Sequence, residues 1–458
     1  MPKHRPNSKH IHKTIIPQPL KTINTNTAGI DIGSSEIYVA VPPDRDKQSI
    51  RIFSSFTCDL YNLAHWLKQC SITSVAMEST GVYWIPLYDI LQHEGIEVCL
   101  VNARYVKNVP GKKTDVLDCQ WLQQLHSYGL LNNSFRPSQE IRRLRTIARQ
   151  RDMLLKYRSA HVQHMQKALH QMNIQLDNVL SDITGVTGMA IIRAIIAGEH
   201  NPETLAQLRD GHCRRPLQDI IHSLQGTYLD EYLFELTQAV ELYDFYSKQI
   251  SACDLHLVEL YEKSTLSPYA DKPLQAPAKR YKRASHNIPF DLRSCLYRLA
   301  GVDLTQIDGL STISVQTILS ETGVDMNKWP SVKHFTSWLS LAPNNKITGG
   351  KIISTASKKS TNRAAQAFRL AARSLYHSKS ALGASYRRVQ ALHGPQLAIK
   401  ATAHKLARIV YAMLKYHTEY HDLGEQHYET YFKERSIIRL KRKAADFGFQ
   451  LIPFAASS

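Results

Sequence analysis

Two apolar segments of this 458-residue chain each carry a carboxylate at a position where a buried strand is predicted. Asp31 interrupts the sequence Ala-Gly-Ile-Asp-Ile-Gly, and Glu78 ends the sequence Val-Ala-Met-Glu. Because an unpaired acid is costly to bury, each of them requires a cation or a catalytic task. Asp115 and Asp118 open a predicted helix, and their spacing places them on one face of it. Four converging acids would suit one or two Mg²⁺ ions, with Mn²⁺ as the expected substitute, since these ions prefer oxygen ligands.

Hydrophobic periodicity between residues 27 and 130 predicts three strands, then alternating helices and strands that end in a helix. This order matches the ribonuclease-H-like fold, in which the first strand, the fourth strand and the last helix bring distant acids together. We therefore expect an α/β domain of this type followed by mainly helical regions. The simpler alternatives are that Asp31 caps a turn beside Gly33, and that Asp115 and Asp118 interact with the helix dipole.

Positive charge is concentrated at the carboxyl-terminal end of the chain. The net charge is +18, and residues 331–458 hold 21 basic side chains against 6 acidic ones. Such a surplus usually marks a polyanionic partner, whose binding weakens steeply with salt. A surface that only keeps the protein in solution is the alternative, although acidic residues would serve that purpose equally well.

Composition argues against several other classes of protein. No apolar run approaches the roughly 20 residues of a membrane span, so no membrane partner is expected. The first 13 residues are basic and lack the apolar core of a signal peptide, and the seven cysteines contain no Cys-x-x-Cys spacing. We therefore expect a protein of a reducing cytoplasm, without a disulfide framework or a zinc site.

Changes in periodicity and runs of proline and charge divide the chain into six parts. These are a flexible basic arm at 1–24, the α/β domain at 25–135, a helical or coiled-coil region at 136–263, a basic Pro-rich linker at 264–290, a mainly helical domain at 291–420 and a basic tail at 421–458. Two long helices predicted at 138–182 and 216–263 would pair as an antiparallel hairpin or a dimerising coiled coil. Ile307-Asp-Gly-Leu begins a helix-hairpin-helix-like motif in the mainly helical domain, with a plain turn as the alternative.

Six motifs in two separate regions resemble the DEDD transposases of bacterial insertion sequences, the "one-ten" family that includes Piv-type DNA invertases. The amino-terminal motifs are Gly29-Ile-Asp-Ile-Gly33, Glu78-Ser-Thr-Gly-Val-Tyr-Trp84 and Lys113-Thr-Asp-Val-Leu-Asp118. The carboxyl-terminal motifs are Trp338-Leu-Ser-Leu-Ala-Pro343, Thr348-Gly-Gly-Lys351 and Asn362-Arg-Ala-Ala-Gln-Ala-Phe-Arg-Leu-Ala-Ala372. Together they extend over most of residues 25–420.

The resemblance implies a RuvC-like amino-terminal domain, a coiled-coil middle and a carboxyl-terminal transposase domain that supplies a nucleophilic hydroxyl. It implies metal binding and catalysis by the four acids named above. It also implies a noncoding bridge RNA that pairs with donor and target DNA, and a homo-oligomer, dimer or tetramer, in which one subunit's acids work with another's nucleophile. Such a protein would act at the bacterial nucleoid and exchange DNA strands through a covalent protein–DNA link.

The chain departs from the family at the nucleophile. The family has a serine before a glycine, five residues after the proline, and here that position is Thr348. Threonine offers the same hydroxyl, but its β-branch restricts χ1 and crowds the attack. The open interpretations are that Thr348 is the nucleophile, that Ser354, Ser357 or Ser360 replaces it, or that this copy is impaired and only binds.

Basic side chains near these motifs are the predicted contacts to nucleic acid, because acids are scarce around most of them. They are Lys112, Lys113, Lys351, Lys358, Lys359, Arg363, Arg369, Arg387, Arg388, Lys405 and Arg408. The leading prediction is a metal-assisted, RNA-guided DNA recombinase or transposase. One alternative is a hydrolytic nuclease like a Holliday-junction resolvase, which needs the acids but no hydroxyl, and another is a noncatalytic nucleic-acid-binding protein derived from a transposase.

Overall fold

The structure is a computed structural model that describes residues 21–102, 114–265, 267–270, 273–276, 288–343, 345–354 and 360–452. The chain forms two compact units, divided between Arg136 and Pro137. Several predicted site residues, together with most of the predicted basic arm, lie outside the described ranges; these residues are Lys112, Lys113, Ser357, Lys358 and Lys359. Within the described ranges, no helix is long and apolar enough to span a membrane.

The first unit is a five-stranded sheet with helices on both faces. Its elements are β1 (Thr27–Ile32), β2 (Glu36–Ala40), β3 (Ile50–Ser54), α1 (Thr57–Gln69), β4 (Ser74–Glu78), α2 (Trp84–His93), β5 (Glu97–Val101) and α3 (Asp115–Ser127). The strand order is β3-β2-β1-β4-β5, in which β2 is antiparallel to its neighbours and β1, β4 and β5 are parallel. This is a ribonuclease-H-like arrangement, and the predicted fold class is confirmed.

The two faces of the sheet belong to two different cores, since successive residues of a strand point to opposite faces. Ile30 and Val39 are fully buried in the core that α1 and α2 cover. The opposite face of β1 is covered by α3, and Gly29 permits the close approach. A Cβ at Gly29 would lie 2.1 Å from the carbonyl oxygen of Cys119, so only glycine fits at this position. The contact fixes where α3 begins relative to the end of β1.

The second unit is mainly helical, with one small hairpin of strands among its described residues. Its elements are α4 (Gln139–Gln171), α5 (Leu176–Val179), α6 (Val186–Ile196), α7 (Pro202–Gln207), α8 (Leu217–Ser223), α9 (Asp230–Lys263), α10 (Leu292–Ala300), α11 (Thr312–Thr322), α12 (Val332–Trp338), β6 (Lys346–Thr348), β7 (Lys351–Ser354), α13 (Arg363–Ser374), α14 (Ala381–His393), α15 (Pro395–Tyr416) and α16 (Gly424–Asp446). The helical character predicted for this part of the chain is confirmed.

The long helices α4 and α9 pack against each other as an antiparallel pair. Arg151 and Asp254 form a buried ion pair across them, with 2.5 Å between Nε and Oδ1. Lys167 and Glu235 form a looser pair of 3.7 Å nearer the other end. Residue numbers rise along α4 as they fall along α9, so the predicted antiparallel hairpin exists within one chain.

The predicted helices at 138–182 and 216–263 are both too long. Residues 172–229 instead fold into four short helices, α5 to α8, which share a core with the end of α4 and the start of α9. The helix α4 ends at Gln171, and two residues later Asn173 has a left-handed φ of +57°, a conformation that cannot continue a right-handed helix. Ile174 and Leu224 are fully buried in this shared core, and they continue the apolar periodicity beyond the real helix ends. Hydrophobic periodicity alone could not distinguish one long helix from a shorter helix that is joined to several short ones.

The carboxyl-terminal helices of this unit surround Phe335 and Phe368, which are fully buried. Gly309, in the predicted helix-hairpin-helix-like motif, has a φ of +89° and lies against α13. A Cβ there would lie 2.7 Å from the carbonyl oxygen of Ala371, which gives this glycine a packing role. The predicted basic tail contains α16, a helix none of whose side chains is buried.

Candidate active site

Asp31 and Glu78 lie at the carboxyl ends of two adjacent parallel strands. The register of β1 and β4 sets Ile30 opposite Met77, so the next residue of each strand carries a carboxylate at the same edge of the sheet. Both carboxylates are half-buried. The carboxyl ends of parallel strands are the usual place for ligands in α/β folds. The arrangement therefore presents two acids to a shared site.

Asp115 and Asp118 lie in the first turn of α3. The hydroxyl of Thr114 caps this helix and accepts a hydrogen bond of 3.3 Å from the Leu117 N–H. Acids in a first turn interact favourably with the helix dipole, as the simpler interpretation holds. The contact of α3 with Gly29 also directs this turn towards Asp31. Both roles can therefore apply to the same side chains.

Electrostatics links the four acids. The pKa of Asp31 is raised from 3.8 to about 6, first by burial and then by three neighbouring negative charges. These charges are, in decreasing order of effect, Asp115, Asp118 and Glu78. A hydrogen bond from the backbone at Ile32 offsets part of the shift. The structure thus brings Asp115, Asp118 and Glu78 within electrostatic reach of Asp31.

The donor chemistry of this group fits a hard divalent cation. Glu78 Oε1 is buried and has no hydrogen-bond partner among the described residues. An unpaired buried carboxylate oxygen is unfavourable, and a cation would relieve it together with the mutual repulsion. Within the described ranges, no three His, Cys, Asp or Glu side chains are close enough to form a finished cation site. To hold an ion, the side chains would therefore have to reorient while the backbone that carries them stays in place.

Thr348 lies at the tip of the hairpin formed by β6 and β7. It pairs with Lys351 across a two-residue turn. Gly349 and Gly350 form this turn with φ of +54° and +77°, the conformation of tight hairpins that glycine adopts readily. Thr348 and Lys351 are both exposed. The hydroxyl is therefore accessible to a large substrate.

The alternative serines are placed differently. Ser354 ends β7, six residues after Thr348. Ser360 precedes α13, and its hydroxyl accepts a hydrogen bond of 3.1 Å from the Asn362 N–H. This bond gives Ser360 a local structural role beside the helix start.

Several predicted nucleic-acid contacts are engaged inside the protein. Their partners are Asp152 for Arg363, Glu425 for Arg387, the Phe432 ring for Arg388 and the Ser385 hydroxyl for Lys405. By contrast, Lys351, Arg369 and Arg408 have no acidic partner among the residues that the structure describes. These three are the predicted contacts best placed to meet phosphate.

Sequence reasoning missed Lys400, which lies on α15 close to Arg369 of α13. Burial lowers the pKa of Lys400, and the positive charge of Arg369 lowers it further. Burial likewise lowers the pKa of His404, with Arg408 as the second cause. Lys400, His404 and Arg408 recur every four residues, so the sequence did hold a signal that they share one helical face.

Comparisons with known proteins give one match over the region of the four acids and another over the region of Thr348. A family model for DEDD transposases of the IS110 type matches residues 28–174, which include the four acids. A model for the transposases of the IS116/IS110/IS902 family matches residues 301–387, which include Thr348. A comparison with curated protein sequences gives no match. Since the two matches lie in the order that the motifs predicted and together cover slightly more than half of the residues, the chain belongs to the IS110 family of transposases, enzymes that cut DNA.

Proposed function

We propose that this transposase recombines DNA with a four-carboxylate Mg²⁺ centre and the hydroxyl of Thr348, guided by a noncoding bridge RNA. The observation that carries the proposal is the electrostatic convergence of Asp115, Asp118 and Glu78 on Asp31. Such transposases generally use divalent metal ions. The choice of Mg²⁺, with Mn²⁺ as a substitute, follows from the oxygen donors.

The four carboxylates would hold one or two ions at the edge of the sheet. Asp31 and Glu78 provide donors from rigid strand ends, and Asp115 and Asp118 provide them from the first turn of α3. A bound ion would stabilise the negative charge that develops on the phosphate. This role is supported by the unpaired Glu78 Oε1 and by the raised pKa of Asp31. Both indicate that the negative charges are unfavourable when no cation neutralises them.

The Thr348 hydroxyl would attack a phosphodiester of the DNA. Oγ1 loses its proton and forms a bond to phosphorus as a P–O bond of the DNA backbone breaks, and the departing strand-end oxygen takes up a proton and becomes a hydroxyl. The covalent link conserves the energy of the broken bond, so a second strand end can reverse the step and rejoin the DNA. The exposed position of Thr348 supports this role, because a duplex could reach it.

Guidance by RNA and assembly as a dimer or tetramer complete the proposal. The basic surplus of residues 331–458 supports contact with donor DNA, target DNA and RNA. A symmetric oligomer would follow from the need to cut strands of two DNA partners. Lys351, Arg369 and Arg408 are the proposed phosphate contacts among the described residues.

The direct test incubates the purified protein with Mg²⁺, donor DNA and the noncoding RNA encoded beside the gene. We expect a protein–DNA adduct that survives denaturation and maps to Thr348 by mass spectrometry. A hydrolytic nuclease would cut without forming an adduct and would keep cutting in Thr348→Ala. A noncatalytic binding protein would neither cut nor change when Asp31 is replaced.

A further inference from the structure

A cavity of about 590 Å³ lies in the carboxyl-terminal part of the second unit. It is open to solvent and is lined by the start of α12, the start of α14 and the second half of α15. Sites that enclose small organic ligands have volumes of roughly 300–1,000 Å³. The cavity is therefore large enough for a nucleotide.

The lining has an apolar part and a cationic part. Val332, Leu382 and Ile409 contribute apolar surface. Lys405, Arg408 and Lys415 contribute positive charge, and no acidic side chain is among the described residues that line the cavity. Such a lining suits a ligand with one flat apolar portion and one anionic group.

No acidic side chain among the described residues neutralises the positive charge of these three side chains. Lys405 donates to the Ser385 hydroxyl and Lys415 donates to the side-chain oxygen of Asn327, and both acceptors are neutral. These bonds hold the ammonium groups in place without cancelling their charge. Arg408 is exposed and has no acidic partner in the part of the chain that the structure describes. An anion would thus meet positioned and unneutralised donors.

An exposed aromatic ring stands at the edge of the cavity. Tyr416 is the last residue of α15, and 67% of its surface is exposed although it lines the cavity. The other lining tyrosine, Tyr411, is buried and donates a hydrogen bond to the Trp329 carbonyl. Exposed aromatic rings beside basic side chains are the usual platforms on which unpaired bases stack.

We propose that this cavity binds one unpaired nucleotide of a nucleic-acid strand, with its base against Tyr416 and its phosphate at Arg408 and Lys415. A base within a duplex could not enter, because its faces are covered by its neighbours. The inference deepens the proposed function, since it takes a nucleic-acid partner from it. The strand could belong to the RNA or to opened DNA, which present the same chemistry here.

The test measures binding of the full-length protein to labelled single strands of oligouridine and oligothymidine by fluorescence anisotropy. Inorganic polyphosphate serves as a ligand with phosphates but no bases, measured by competition. We expect Tyr416→Ala to weaken binding of both strands at least about fivefold, because a stacked base is lost. Tyr416→Phe, which keeps the ring, should bind as the wild type does.

Arg408→Gln should weaken binding of all three ligands, whereas Tyr416→Ala should leave polyphosphate unaffected. Tyr61→Ala removes an exposed tyrosine of α1 in the first unit and serves as the control, with no expected change. The strand that binds more tightly to the wild type identifies the source of the nucleotide.

Unchanged strand binding in Tyr416→Ala, or an equal loss with polyphosphate, would overturn the proposal. Because the assay involves no cutting, failure of the Thr348 adduct would leave its outcome untouched.

Discussion

The two parts of the proposed catalytic machinery are held in different ways. The carboxylates lie at the ends of two buried strands and in a helix turn that is fixed by its contact with Gly29. Thr348 lies on an exposed hairpin whose shape depends on two glycines. A rigid site can keep several like charges close together, because the packing of the surrounding core opposes their repulsion. An exposed hairpin can exchange serine for threonine because the added methyl group meets no packed core.

The largest effect on activity is expected at Thr348, the exposed part of the proposed machinery. Replacing it with alanine should reduce adduct formation at least about a thousandfold, because the attacking oxygen is removed. Gel electrophoresis under denaturing conditions measures the adduct. Thr348→Ser keeps the hydroxyl and should retain the adduct. An adduct that persists in Thr348→Ala and maps to Ser354 would assign the role to that residue instead.

The role of the buried carboxylates in strand cleavage is tested with Asp31→Asn. We expect strand cleavage to fall at least about a hundredfold, because a charged donor is lost from the centre of the group. DNA binding should be unchanged, since the basic surplus lies elsewhere in the sequence. Asp44→Asn, at an exposed acid of the same unit, is the matched control and should cleave normally. Wild-type cleavage by Asp31→Asn would contradict the proposed centre.

The rigidity of the acid site is tested with Gly29→Ala. The added Cβ would lie 2.1 Å from the Cys119 carbonyl and 2.2 Å from the Gln123 nitrogen, and backbone atoms cannot easily move aside. We expect the free energy of unfolding of the first unit to fall by about 2–3 kcal/mol. Denaturant titration measures it. The control is Gly211→Ala in the second unit, where an added Cβ would meet no atom within 4 Å beyond its chain neighbours; it should have little effect on the stability of either unit.

The smallest expected effect is the pH dependence of stability at Asp31, measured without metal. The folded-state pKa of about 6 lies above the ordinary value of 3.8, so ionisation is less favourable in the folded protein. The stability contributed by this carboxyl is present below about pH 4 and is lost as the pH rises through 6.

Asp31→Asn should therefore be more stable than the wild type above pH 6, and equal to it near pH 4. Because Asp31 is only half-buried, solvent screening limits the difference to about 1 kcal/mol. Thermal unfolding at both pH values measures it. A difference of equal size at pH 4 and pH 7 would show that repulsion at Asp31 is not its cause.

The sequence predicted where the four acids lie better than it predicted the partners of the basic side chains. An acid in an apolar strand is conspicuous locally, and the order of strands indicated which acids converge. The partners of Arg363 and Arg387 could not be predicted in this way. Asp152 is 211 residues from Arg363 and lies on a different helix, so the ion pair depends on how α4 and α13 pack. Periodicity reports which face of a helix is buried but not what lies opposite it.

The central claim, that the four acids form a divalent metal centre, is tested most directly by titrating Mn²⁺ into the purified protein and measuring bound ion by electron paramagnetic resonance. We expect one or two ions per chain in the wild type, displaced by excess Mg²⁺. Binding should be lost or strongly weakened in Asp31→Asn and Glu78→Gln, and unchanged in Asp44→Asn. Equal Mn²⁺ binding in all four proteins would contradict the claim.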